Sequence, residues 1–292
     1  PKDRNVNYLP TRYPERWQQF KDFTSGQIEE LMTRYGKMDI LWLDGGQVRP
    51  LSTVDTSVSW QKAILIDQDI DMASIAAMAR KHQPGLLVVD RTVGGEYENY
   101  VTPEGHVPDA DLGVPWETCM PMGTSWSWVP NEQYKSTDEI IRTLVSVVSR
   151  GGSLLLNVAP GPDGQLDSTA YVRLKEVGEW LKVNGEAVYG TRPSRYNAPT
   201  AALGSSEKVM SSRSGEEKHI MYVFLDGSSA EVRMDMHALR RAPEVKLLGS
   251  TSQLKWQKIT ATGVIVIPAD PDPDRVRVLR INARLPVGIK KL

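Results

Sequence analysis

The side chains that could do covalent chemistry in this chain are mostly carboxylates. It has one cysteine, Cys119, and four histidines among 292 residues. HExxH, CxxC and Gly-x-Ser-x-Gly patterns are absent, which argues against a metal site, a Cys/His nucleophile or a serine nucleophile on a strand–helix elbow. Gly94-Gly95 lacks the strand–turn–helix setting of a nucleotide loop. Paired Asp and Glu side chains support displacement at a glycosidic carbon instead. One carboxylate serves as nucleophile or base, and the other as a proton donor whose pKa its surroundings raise. Asp44, at the end of the apolar run 38–43, is the candidate for the first role. Glu96, Glu98, Glu104, Asp109, Asp111 and Glu117 all follow a second apolar run and are the candidates for the other. Position alone does not choose among them.

The elements that must carry these residues alternate between helical and strand patterns. Pro14 suits a first helical turn, and Trp17, Phe20, Ile28, Leu31, Met32 and Tyr35 form a helical stripe up to Gly36. The run 38–43 reads as a buried strand closed by Asp44-Gly45-Gly46, followed by an insertion-like stretch over 47–60 and a short helix near 72–81. Pro84-Gly85 introduces the run 86–89, ending in Asp90-Arg91. Residues 92–134 read as irregular and hold Trp116, Trp126 and Trp128. The sequence Ser136-Thr137-Asp138-Glu139 is a capping box opening a helix over 140–149. Gly151-Gly152 stops that helix, 154–156 is a third buried strand ending at Asn157, and 170–183 is a helix closed by Asn184-Gly185. Short apolar strands between amphipathic helices predict a parallel α/β architecture with its site at the C-terminal strand ends.

After residue 192 the pattern changes to short alternating segments, 219–225, 230–234, 263–267 and 275–281, separated by turn sequences. This predicts an antiparallel β-sandwich, with domains over 1–192 and 193–292. With 35 Lys+Arg against 36 Asp+Glu, the chain gives no electrostatic case for a nucleic-acid or polybasic membrane partner. No apolar run approaches the roughly 18 residues of a membrane span. Eight Trp against three Phe is the unusual entry in the composition, since an indole also forms a platform for the apolar face of a sugar.

Several segments, in order, resemble the α-L-fucosidases of glycoside hydrolase family 29. Asp39-Ile40-Leu41-Trp42-Leu43-Asp44-Gly45 is similar to that family's nucleophile strand, and Val88-Val89-Asp90-Arg91 to its next strand. Tyr100-Val101-Thr102-Pro103-Glu104 resembles the acid loop, and Trp116-Glu117-Thr118-Cys119 with Ser125-Trp126 resembles a block beyond it. The stretches 151–157 and 180–189 resemble the final strand and helix signatures. The resemblance covers most of residues 15–192; beyond 195 it is one of architecture.

What the resemblance implies is a retaining double displacement on a terminal α-L-fucoside, without a metal or other cofactor. Asp44 would be the nucleophile and Glu104 the acid/base, with their carboxyl groups about 5–5.5 Å apart. Glu117 stays open as the alternative acid, because an adjacent indole can raise a carboxyl pKa. Arg91 would hold Asp44 ionised and contact sugar hydroxyls, or serve only as a structural ion-pair partner. Trp126 would pack under the C5 methyl of fucose. Trp42 and His106 complete the candidate substrate contacts, with core packing and a solvent-exposed loop as their competing readings. Trp17, Trp60 and Trp256 have no chemical context.

The resemblance also implies barrel units before the nucleophile strand that this chain does not contain, and no leader-like segment stands at Pro1-Lys2-Asp3. The expected fold is therefore an incomplete (β/α) TIM-like barrel followed by the sandwich, either as a fragment or as a naturally shortened enzyme, whose functional form would be a homo-oligomer that covers the missing sector. Two other classes stand beside the fucosidase: a catalytically silent fucose- or glycan-binding protein, and a retaining glycosidase for another sugar.

Overall fold

The computed structural model describes residues 9–89, 91, 93–194, 202–211, 217–235, 244–259, 262–268, 270 and 272–284. Contacts divide the chain between Thr102 and Pro103. In the first unit, helix α1 (Pro14–Arg34) starts with Pro at its first turn, where the missing N–H costs nothing. Gly36, at φ +87°, follows its C-terminal end. Gln83 caps that end from outside: its amide donates to the carbonyls of Met32 (2.7 Å) and Gly36 (2.9 Å). Helix α2 (Met72–His82) is opened by Asp71, whose carboxylate accepts from the Ser74 N–H. Strands β1 (Ile40–Leu41) and β2 (Leu87–Val88) pair in parallel, Ile40 opposite Leu87 and Leu41 opposite Val88. Period-two alternation turns Leu41 and Val88 into a core with Ile28, Met32, Met72, Ile75, Ala76 and Ala79. Ile40 and Leu87 remain exposed on the other face. The regular pairing is shorter than the apolar runs 38–43 and 86–89, although Leu87 and Val89 still donate to the Asp39 and Leu41 carbonyls.

In the second unit, β3 (Trp116–Pro121) and β4 (Gly152–Asn157) form a parallel pair connected through helix α3 (Thr137–Ser149). The stretch 92–134 is thus not irregular throughout. Strand β3 is buried on both faces, so it lacks the alternation that marks a half-buried strand, and Glu117 and Pro121 interrupt its apolar character. Gly152 is required by close packing: a Cβ there would come within 2.5 Å of the Trp116 indole. That indole donates to the Arg150 carbonyl at 3.0 Å. The capping box forms as read, Ser136 accepting from the Glu139 N–H and Glu139 from the Ser136 N–H. Helix α4 (Ser168–Asn184) follows, with Asp167 as its N-cap.

The remaining strands form two antiparallel sheets, as the alternating pattern predicts. One orders β5 (Arg192–Pro193), β6 (Ala202–Ser211), β7 (Glu217–Leu225), β12 (Arg277–Arg284) and β9 (Glu244–Leu247). The other orders β10 (Trp256–Ile259), β11 (Thr262–Val266) and β8 (Glu231–Asp235). Met221, Val223, Leu225, Val232, Val245, Ile265, Leu279 and Ile281 fill one core. The opposite side chains of β7 and β12 are buried as well: Ile220, Tyr222, Phe224 and Val278 pack with Ile141 and Val145 of α3, with Ala187, and with Trp180 of α4. Strand β7 is therefore buried on both faces, and 220–225 is apolar at every position rather than alternating as expected for 219–225. Arg142 of α3 adds a bidentate ion pair to Asp226 (2.8 and 2.6 Å) and a bond to the Asp274 carbonyl. Antiparallel structure begins at Arg192, but the helices before it and the sheets after it share this core within one unit.

Candidate functional site

At the C-terminal end of β1 the chain turns through Asp44-Gly45-Gly46. The Arg91 guanidinium, just past β2, meets the Asp44 carboxylate at 3.1 Å. The main chains are also joined, Gly45 N–H donating to the Arg91 carbonyl at 3.3 Å. Arg91 lies over the ring of half-buried Trp42 at 5.0 Å. Three sequence-predicted residues, Asp44, Arg91 and Trp42, therefore stand together in the first unit. The Asp44 side chain is 66% exposed and that of Arg91 16%, so the carboxylate faces solvent while its cationic partner is fixed by packing.

The loop leaving this turn is organised by a residue the sequence gives no reason to single out. Arg49 is buried, and its guanidinium donates to the carbonyls of Gly46 (2.5 Å) and Thr53 (3.2 Å) and to the Gln61 amide oxygen (3.0 Å). Burial pushes its pKa below the usual value. The same Gln61 oxygen accepts from the Asp55 N–H, and Arg49 also stacks on Trp60, 5.3 Å from the ring centre.

In the second unit Glu104 forms a parallel bridge with Cys119 of β3, reinforced by Gly105 N–H donating to the Cys119 carbonyl at 3.0 Å. Gly105 takes φ +72°, which a side chain would disfavour, and so re-aims the backbone just after the carboxylate. His106 Nδ1 lies 3.0 Å from the Glu104 carbonyl, and Thr118 donates to the His106 carbonyl at 2.8 Å. Glu104 and His106 are both exposed, while Glu117 is half-buried on β3. The segment carrying Glu104 is thus laid along β3, with Glu104 paired two positions from Glu117. Of the other acids of the region, Asp111 serves local structure, its carboxylate accepting from the Gly113 N–H.

Trp126 and Trp128 sit on the loop between β3 and α3 and are exposed. Asn157, ending β4, donates to the Trp126 carbonyl at 2.9 Å, so its amide anchors this loop. Glu132 accepts from the Thr124 N–H (2.9 Å), the Thr124 hydroxyl (2.7 Å) and the Gln133 N–H (2.9 Å). These donors hold its carboxyl below its usual range. Lys135 closes the loop through the Pro121 and Gly123 carbonyls. A cavity of about 920 Å³ in this unit lies between α3, α4 and the sandwich loops, and none of the predicted site residues lines it.

Among the described residues no group of three or more His, Cys, Asp or Glu side chains is arranged to hold a metal ion. No described helix is long and apolar enough to cross a membrane.

The fold of the described residues is shared with solved fucosidases. The alpha-L-fucosidase family model matches residues 2–186, and the chain belongs to that family. It is 32% identical over 256 residues to plasma alpha-L-fucosidase of Pongo abelii, covering 83% of this chain and 50% of that protein. It is 32% identical over 173 residues to the Homo sapiens plasma enzyme, covering 57% and 36%. Alpha-L-fucosidase isoenzyme 1 from Paenibacillus thiaminolyticus superposes with a TM-score of 0.74 at 22% identity, over 91% of this chain and 62% of that one. The chain thus spans half or less of the length of these two sequence relatives.

Proposed function

We propose that the protein hydrolyses terminal α-L-fucosyl linkages with net retention. Asp44 attacks the anomeric carbon while Glu104 gives its proton to the departing glycosidic oxygen, leaving fucose esterified to Asp44. Glu104 then takes a proton from water, which attacks the same carbon, breaks the ester and releases fucose. The observation that carries this reading is the Arg91–Asp44 ion pair at 3.1 Å, at the C-terminal end of a parallel strand pair in a member of the fucosidase family. A guanidinium at that distance orients the carboxylate through a charge-assisted hydrogen bond. Trp126 packs against the C5 methyl group, an apolar handle, while Arg91, Trp42 and His106 contact the sugar and Glu117 lines the site. The reading includes residues up to 192 as a sector of a (β/α) barrel, and 193–292 as the sandwich domain.

The test is release of nitrophenol from the α-L-fucoside, compared with the galactoside and glucoside. Glu104→Gln and Asp44→Asn should each cut turnover by about 10²–10⁴-fold or more. Azide then separates the roles. With Asp44→Ala it enters opposite the leaving group and gives the β-fucosyl azide. With Glu104→Ala it intercepts the fucosyl ester and gives the α product. Wild-type turnover of the galactoside alone moves the protein to another sugar, and activity that survives Asp44→Asn overturns the mechanism.

A further inference from the structure

Asp44-Gly45-Gly46 is flanked by two cation–aromatic pairs. Arg91 over Trp42 faces the carboxylate. On the other side, Arg49 bonds the Gly46 carbonyl and lies against Trp60. The two members of this second pair differ sharply in burial: Arg49 is 6% exposed and Trp60 46%. A planar cation fixed by three acceptors, Gly46, Thr53 and Gln61, therefore backs an indole that presents the rest of its surface to water. Trp60 also lies in a 3₁₀ turn, 59–63, whose Gln61 is tied to the same guanidinium, so the ring is preorganised.

We propose that Trp60 is the stacking platform for the sugar to which fucose is attached, an aglycone subsite on the loop that leaves the nucleophile strand. This rests on the fucosidase reading above and assigns to Trp60 the contact with the penultimate pyranose of a fucosylated oligosaccharide. An indole offers a broad apolar face suited to the C–H face of such a ring. Loops at the C-terminal ends of parallel strands are where such contacts collect. The ring, backed by a buried cation lying over it, resists being pushed aside by the incoming sugar.

The experiment compares kcat/KM for nitrophenyl α-L-fucoside, which has no second sugar, with kcat/KM for α1,2-, α1,3-, α1,4- and α1,6-fucosyl disaccharides. The best disaccharide of the wild type is carried forward to Trp60→Ala and Trp60→Phe. The ratio of disaccharide to aryl fucoside should fall about tenfold in Trp60→Ala, chiefly through KM, and recover most of that loss in Trp60→Phe. Inhibition by the defucosylated disaccharide should weaken in parallel. An unchanged ratio with unchanged product inhibition overturns the platform while leaving the fucosidase reading intact. A wild type that hydrolyses neither substrate fails the parent reading instead, and the platform falls with it. Melting temperature separates a misfolded Trp60→Ala from a specific loss, and Trp60→Phe decides the matter if the alanine variant unfolds.

Discussion

Asp44 and Glu132 are two carboxylates with opposite dispositions. Asp44 has an exposed oxygen pair and one fixed cation beside it, an arrangement that leaves room for a reacting carbon. Glu132 is consumed by donors from Thr124 and Gln133 and has become part of the loop's scaffolding. Its folded pKa lies below the usual carboxylate value. Its contribution is therefore fully present above the unfolded value of about 4.3, and is lost as pH falls through the depressed folded value. Tryptophan emission should show the Trp126/Trp128 loop loosening below that range in the wild type. Glu132→Gln should look loosened already at neutral pH, with a smaller acid-dependent change. An identical acid transition in both proteins would show that Glu132 does not hold the loop. Asp44 and Arg91 were legible because each follows a compact apolar run, where a strand end is the natural reading. Arg49 and Trp60 were not, because Arg49 is fixed largely by the Gly46 and Thr53 main-chain carbonyls, which leave no residue-type signature, and its contact with the Trp60 ring lies within an insertion-like stretch.

Helix α3 is the element whose sequence states its own beginning. The reciprocal bonds of Ser136 and Glu139 satisfy two donors that the first turn would otherwise leave orphaned. Ser136→Ala should cost about 1 kcal/mol, measured as a lowered urea midpoint at unchanged slope. An unaltered midpoint would mean that packing alone fixes the start of the helix. Helices α2 and α4 were readable to within a few residues from their residue patterns, α4 also from its Asn184-Gly185 stop, while their N-caps, Asp71 and Asp167, are no part of that reading. Strand β3 escaped because burial on both sides removes alternation, and because Trp116 earns its place through Gly152, a partner far along the chain. The antiparallel strands were legible where turns bound them, although parts of the segments around residues 260 and 269 lie outside the described residues.

At the scale of the molecule, apolar surface is left uncovered. Ile40 and Leu87 sit opposite each other on the outer face of the β1–β2 pair, and Phe23 and Tyr35 project from the region of α1. We propose that copies of the chain associate through such faces. Sedimentation should show dimers or larger species at micromolar concentration, and a monodisperse monomer there would refute self-association. The change of pattern near residue 192 is visible in sequence, whereas the core it crosses is not: Tyr222, Phe224 and Val278 rest on Ile141, Val145 and Trp180. For anyone dividing the gene, that is the practical lesson. A sandwich expressed from residue 193 would leave home without the helices that form the floor beneath its larger sheet. A fragment from residue 103 takes both halves of the oil-filled joint with it, and the Arg142–Asp226 clasp as well.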